Sequence, residues 1–220
     1  MRRAIAFFLG HGLRPDLRLR VEFREAVFLD LSGCMYLAGL APSPCADRTT
    51  TGDIDASGAP AAFAPAERVV GIFHPGSRTV LMTTEASSWL RSYTYFELPV
   101  NDEMFTSMLT HEITHAMSKS LYAPVLRVAD HDIHVQEEYV AYVAQLSTMS
   151  RDLRTAVLAR YPAAAHRFND EADINAMSLG LSPEAFGVKS YRHFMEDAGG
   201  PVFLRRIYGG EYRPPVQILY

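Results

Sequence analysis

Cysteine is scarce: Cys34 and Cys45 are the only two among 220 residues. Ten intervening residues would permit a disulfide in an oxidising compartment, but two cysteines make neither a disulfide framework nor a zinc-ribbon spacing. One buried thiol and one loop thiol is the favoured expectation. Positive charge is also short. The 21 Lys and Arg are outnumbered by 25 Asp and Glu, for a formal net charge of −4 and a pI of about 6.1. That argues against a nucleic-acid partner, because phosphate binding needs a basic face. No run approaches the roughly 18 apolar residues of a membrane-spanning helix, so no transmembrane segment is expected. The opening MRRAIAFFLG has two arginines and then an apolar run, but HGLRPD follows in place of a small-residue cleavage site. It reads as an ordinary N-terminal segment or the remnant of a longer leader. A soluble chain follows, cytoplasmic or exported, with its oligomeric state open.

What is present is enough to build a core. Hydrophobic residues make up 48% and charged residues 21%, which fits one domain over 1–220. Three stretches divide it: 1–66, 67–146 and 147–220. Leu19, Phe23, Val27, Leu31 and Met35 recur three or four apart and predict a helix within 17–40, weakened by Ser32-Gly33. Residues 41–66, rich in Pro, Ala, Gly and Thr, read as a long loop. Two β-prone runs, 68–73 and 79–84, flank His74-Pro75-Gly76-Ser77 and predict a hairpin. The aromatic segment WLRSYTYFELP follows. From Asn101 the pattern is helical, with Asn101 as cap and Asp102 and Glu103 in the first turn. A second helical pattern covers 135–146. Beyond 150 the chain reads as helices broken by turns, one starting at Ser182-Pro183 and ending at Gly199-Gly200-Pro201. Strands first and helices after predict an α+β fold.

Residues 109–117 read LTHEITHAM. On a helix His111 and His115 lie about 40° apart, one turn above the other, so both imidazoles reach one ion. Glu112 is rotated aside, poorly placed to ligate that ion and well placed to reach a water on it. Phe105, Leu109, Ile113, Ala116 and Met117 form the main apolar arc. The histidines sit off that arc, with Met104 and Met108 on their side as pocket floor or core. Chance would supply only about 0.02 such motifs in a chain of this composition.

HEITH resembles the signature of the zincin metallopeptidases, and the order of hairpin and then active-site helix is similar to theirs over roughly residues 67–146. The resemblance implies a small N-terminal sheet packed on the active-site helix, a mostly helical C-terminal part, one catalytic Zn²⁺ per chain and a peptide or protein substrate. The metzincin extension is missing, since Ser118 and Leu121 stand at its positions. A gluzincin-type site takes its third ligand from a glutamate on a later helix, often with a small residue three positions on, and VQEEYVAYVAQL supplies one. Glu138 is followed three residues on by Ala141. It lies on the flank of the arc formed by Val135, Tyr139, Tyr142, Val143 and Leu146. Glu137 is the alternative, expected nearly opposite that arc on the solvated back.

The connecting stretch ADHDIH adds His131 and His134 as further ligand or donor candidates, and Asp130 and Asp132 as groups that could orient an imidazole. The chemistry implied is peptide hydrolysis: a zinc-bound water, Glu112 as general base, and an oxyanion donor among Tyr139, Tyr142, His131 and His134. The strand around Thr79–Thr84 would line the cleft and pair with an extended peptide, with the 89–96 segment, including Trp89 and Tyr95, shaping a side-chain pocket or joining the core. Two other functions fit: a non-catalytic zincin-like domain that binds metal or another protein, and a metal-free scaffold holding a partner through the aromatic segment.

Overall fold

A computed structural model describes residues 1–25, 27–30, 66–74, 77–84, 87–122, 133–162, 168, 171–196 and 200–212. Cys34, Cys45, most of the 41–66 segment, Asp130, His131 and Asp132 lie outside the described residues. The fold is α+β, as expected. Strands occupy the first half and helices most of the second.

The strands form a fork. β1 (Arg20–Arg24) leads toward β2 (Val27–Asp30), and β3 (Ala66–Val69) leads through Val70 into β4 (Gly71–His74). β2 and β3 pair with each other, antiparallel. At the other end the two arms part to admit β5 (Thr79–Thr83), giving the order β1-β5-β4. β5 runs antiparallel to β4 and parallel to β1. Its end closes the fork: the Thr83 N–H donates to the Val70 carbonyl at 2.7 Å and the Thr84 N–H to that of Arg24 at 2.6 Å.

The helix expected within 17–40 is therefore a strand where the chain is described. The physical reason is a coincidence of periods. Leu19, Phe23 and Val27 are four apart, and four is a multiple of the strand period of two as well as close to 3.6. Val21 and Phe23 alternating with Glu22 and Arg24 carried the decisive signal. The expected hairpin is present as β4 and β5. However, β5 is central, with β1 along its other side, so it cannot receive a peptide as expected. The open edge belongs to β4.

Helices enclose one face of the sheet. α1 (Arg2–Gly10), with Ala4 and Phe8 fully buried, packs on α3 (Asp102–Ser118) and α4 (Ile133–Thr148). α3 lies under β4 and β5. Asn101 caps it, its side chain accepting from the Met104 N–H at 2.8 Å. α4 is the central helix, held between α1, α3 and a later helix, with every residue from Tyr139 to Leu146 buried.

Between β5 and α3 lie α2 (Ser88–Ser92) and a short hairpin, β6 (Thr94–Tyr95) with β7 (Leu98–Pro99). The remainder is α5 (Arg151–Arg160), a 3₁₀ turn at Glu171–Asp173, α6 (Ala176–Leu181), α7 (Pro183–Glu196) and α8 (Gly200–Gly209). α7 starts at Ser182-Pro183 as predicted. It ends at Glu196, and Gly200-Pro201 opens α8 instead of terminating α7. Pro is tolerated there because the first turn of a helix leaves its N–H groups without helical partners. Among the described residues no helix is long and apolar enough to cross a membrane.

Candidate metal centre

α3 and α4 face each other, and the two histidines of α3 meet a carboxylate of α4. His111 Nε2 and His115 Nε2 are 3.1 Å apart. Glu138 closes the triangle, with Oε2 3.3 Å from His111 Nε2 and Oε1 3.3 Å from His115 Nε2. Two imidazoles and one carboxylate at about 2.0–2.1 Å from a tetrahedral zinc would have their ligand atoms about 3.3 Å apart. Here each imidazole meets a different oxygen of Glu138, and with one ligand atom taken from each residue the three atoms lie within 4.8 Å of one another. Among the described residues these three form the one cluster of ligating side chains with atoms all within 4.8 Å.

The groups of the cluster shift one another's protonation. Burial works against the charged form of Glu138, yet His115 and His111 outweigh it and hold the carboxyl well below its usual range. Burial also works against protonated His115, but Glu138, Glu112 and Glu137 raise its pKa to about 9. Glu112 goes the other way: burial lifts its carboxyl above the usual range, only partly opposed by the histidines. Glu112 is held close under the sheet. A Cβ on Gly71 would come within 2.8 Å of Glu112 Cγ and collide with Met82 Sδ, so only glycine lets β4 sit this near to α3.

Glu137 is turned away from the histidines. It is buried and ion-paired with Lys119, just past the end of α3, at 3.1 Å. The expected solvated back of α4 does not exist at Glu137, because Val135 to Glu137 and Tyr139 to Leu146 are all buried.

A cleft of about 200 Å³ opens beside the cluster, lined by Val69, Val70, Gly71, Met82, Tyr93, Tyr95, Met108, His111, Glu112 and Tyr142. Tyr142 sets its ring against that of His111, edge to face at 4.6 Å. Behind it Gly187 of α7 lies so close that a Cβ would overlap the Tyr142 ring. Tyr95 arrives on the β6–β7 hairpin. The turn residues Phe96 and Glu97 both have positive φ, 52° and 57°, the pattern of a tight hairpin turn that glycine or asparagine usually fills. Phe96 holds it: its ring is fully buried against Tyr142 and Tyr161, and its N–H donates to Glu184 Oε1 at 3.0 Å. Burial raises the hydroxyl pKa of both Tyr95 and Tyr142 well above the ordinary tyrosine value, so both remain proton donors.

The chain belongs to DUF6639, a family of unknown function. The family model matches residues 50–217, a span that contains the whole cluster and every residue lining the cleft. No curated protein and no solved structure matches the chain.

In this DUF6639 chain the structure thus brings together His111, Glu112, His115, Glu138 and Tyr142. Met108 lines the cleft, while Met104 is core. Tyr139 is buried on another face of α4, its hydroxyl 2.9 Å from His193 Nδ1 and its ring against Phe203. His134 is exposed in the first turn of α4. Trp89 packs against Tyr93, outside the cleft lining.

Three contributors escaped the sequence reading. Gln145, fully buried, places Oε1 3.1 Å from His111 Nδ1. Ser107 accepts from Gln145 Nε2 at 3.1 Å. Gly71 makes room for Glu112. The available signal was seven residues of separation between Glu138 and Gln145, two helical turns on one face. A polar glutamine in an otherwise apolar run marked the same face.

Proposed function

We propose that this chain is a zinc-dependent hydrolase of the zincin-like, gluzincin type, and specifically a metallopeptidase. It would hold one Zn²⁺ through His111, His115 and Glu138. The observation that carries this reading is the pair of imidazole nitrogens 3.1 Å apart, each 3.3 Å from an oxygen of the Glu138 carboxylate, with Glu112 beside them in an open cleft. Two nitrogen donors and one oxygen donor leave a tetrahedral ion one open position, the mark of a catalytic site.

Bound zinc would supply a Lewis acid that lowers the pKa of water and polarises a carbonyl. Glu112 would take the proton from the attacking water and hand it to the leaving amine. Its carboxyl, raised by burial, suits both halves of that task. The Tyr142 hydroxyl is the donor for the developing oxyanion, being neutral, in the cleft and against His111.

An extended peptide fits along β4. The Val70–Thr83 hydrogen bond sets the ladder, so Ile72 and His74 also face β5 with their backbone groups. Gly71 and Phe73 then point theirs outward, and among the described residues no strand pairs with that edge. A substrate strand would add there, passing Glu112.

Two measurements on purified protein test the proposal. Metal analysis after zinc dialysis should give about one zinc per chain; a folded protein that stays metal-free would sink it. Glu112→Gln should keep the zinc and lose hydrolysis of unstructured peptides by at least about 10²-fold. Zinc binding with no hydrolysis by the wild type would instead favour the non-catalytic zincin-like domain.

A further inference from the structure

Gln145 sits behind the candidate ligands and not in the cleft. It lies at the centre of a chain of hydrogen bonds whose direction is set by one atom. The Ser107 hydroxyl donates to the Met104 carbonyl at 2.7 Å. A carbonyl can only accept, so the hydroxyl proton is committed there. Ser107 Oγ then accepts from Gln145 Nε2 at 3.1 Å. That fixes which way round the amide lies, and Oε1 must face the other side, where it meets His111 Nδ1 at 3.1 Å. An amide oxygen also only accepts. His111 therefore carries a proton on Nδ1, and Nε2 is the ring nitrogen that faces His115 and Glu138. The Tyr95 hydroxyl donates to the same Oε1 at 3.4 Å. Every donor around Gln145 points inward and every orientation traces back to the backbone of α3.

We propose that Gln145 is a positioning residue that holds a proton of His111 on Nδ1, so that Nε2 is the nitrogen turned to an ion. The inference rests on the metal reading of His111, His115 and Glu138, but the tautomer can be read without metal. Gln145 and Ser107 are both fully buried, so water does not compete for these bonds. Nothing else within the described contacts of His111 Nδ1 could accept its proton. The same lock connects ligand and cleft. Loss of the Gln145 oxygen would free the Tyr95 hydroxyl, which lines the cleft.

The test uses the full chain, metal-free, and long-range ¹H–¹⁵N spectra of the histidine rings. Wild type should show His111 with Nδ1 protonated. Gln145→Met keeps the length of the side chain and removes the acceptor. It should give a mixed or Nε2–H ring for His111 and weaken zinc binding, measured by competition with a chromophoric chelator, by about 10- to 100-fold. Gln145→Glu restores an acceptor and should return both the Nδ1–H signal and zinc affinity to within a few-fold of wild type, a rescue that a merely space-filling role would not give. A wild-type His111 with no proton on Nδ1 would overturn the proposal, as would Gln145→Met with wild-type tautomer and affinity. If Gln145→Met does not fold, the wild-type spectrum and the Gln145→Glu variant still decide. A wild type that binds no zinc would remove the metal reading separately, since the spectra are taken without it.

Discussion

Glu137 and Glu138 are neighbours on one helix, both removed from bulk water, and their surroundings differ in kind. Glu137 meets the ammonium of Lys119 at 3.1 Å, and Lys119 is 44% exposed. Its counter-charge is a fixed ammonium. Glu138 meets two imidazoles, with a second carboxylate, Glu112, close by and no lysine or arginine among the residues lining the cleft. That group balances its charge only by binding a proton or a cation. A buried carboxylate with a fixed counter-charge is a structural ion pair; one with exchangeable partners is equipped to bind something.

The sharpest way to break the comparison is to delete each carboxylate in turn. Glu138→Ala removes one of three proposed ligands and should weaken zinc binding by roughly 10²- to 10⁴-fold in a chelator competition. Glu137→Ala should leave zinc affinity within about threefold. The reverse result would hand the third position to Glu137.

Proton and cation should also compete at His115. Its pKa in the metal-free fold is raised to about 9 from an ordinary 6.5. Stability from the protonated ring is therefore fully present below about pH 6.5 and lost as pH climbs through about 9. Zinc needs the neutral ring, so its apparent affinity should rise about tenfold per pH unit across that window and level off above it. In Glu138→Ala the rise should flatten at a lower pH, because the carboxylate that holds the proton is gone. Titrations of the Glu137→Ala variant should follow wild type closely. A pH-independent affinity between 6.5 and 9 would remove His115 from the ligand set.

The glycines that admit the site to the core give a smaller effect. Gly71→Ala should force β4 off Glu112 and Met82, and Gly187→Ala should push the Tyr142 ring toward His111. Each should destabilise the fold by about 1–3 kcal/mol, seen in urea unfolding. Gly71→Ala should lower hydrolysis more than zinc content, since it displaces the base and no ligand. Equal loss of both would mean that the sheet supports the ligands as well.

Much of this was legible in the residues. The helical period of α3 put His111 and His115 on one side, and the capping of Asn101 set where the helix begins. Glu138 on the flank of an apolar arc pointed to α4. What was not legible came from tertiary enclosure. Glu137 reads as solvated from the pattern of its own helix, and only the packing of α1, α3 and α7 around α4 buries it. The four-residue spacing of Leu19, Phe23 and Val27 serves helix and strand alike, so β1 and its parallel pairing with β5 were missed. The β6–β7 turn uses Phe96 and Glu97 where glycine or asparagine would have announced it. Its conformation is held by burial of Phe96 and by Glu184, 88 residues away, which no local pattern can carry.

The least perturbing variant bears on the structural half of the comparison. Glu137→Ala should lower stability by no more than about 1 kcal/mol, because its partner Lys119 is largely solvated and such pairs are screened. For a chain of this size that is a fall of about 2–4 °C in Tm. Lys119→Ala should cost more than Glu137→Ala, because it leaves a buried carboxylate without its counter-charge while the converse leaves only an exposed ammonium. Zinc should raise the Tm of both variants and of the wild type alike, since neither residue is a proposed ligand. If Lys119→Ala abolished the zinc-dependent rise, Glu137 would have been drawn to the imidazoles once its cation was gone, and the two carboxylates would differ only by the partner that reaches each first.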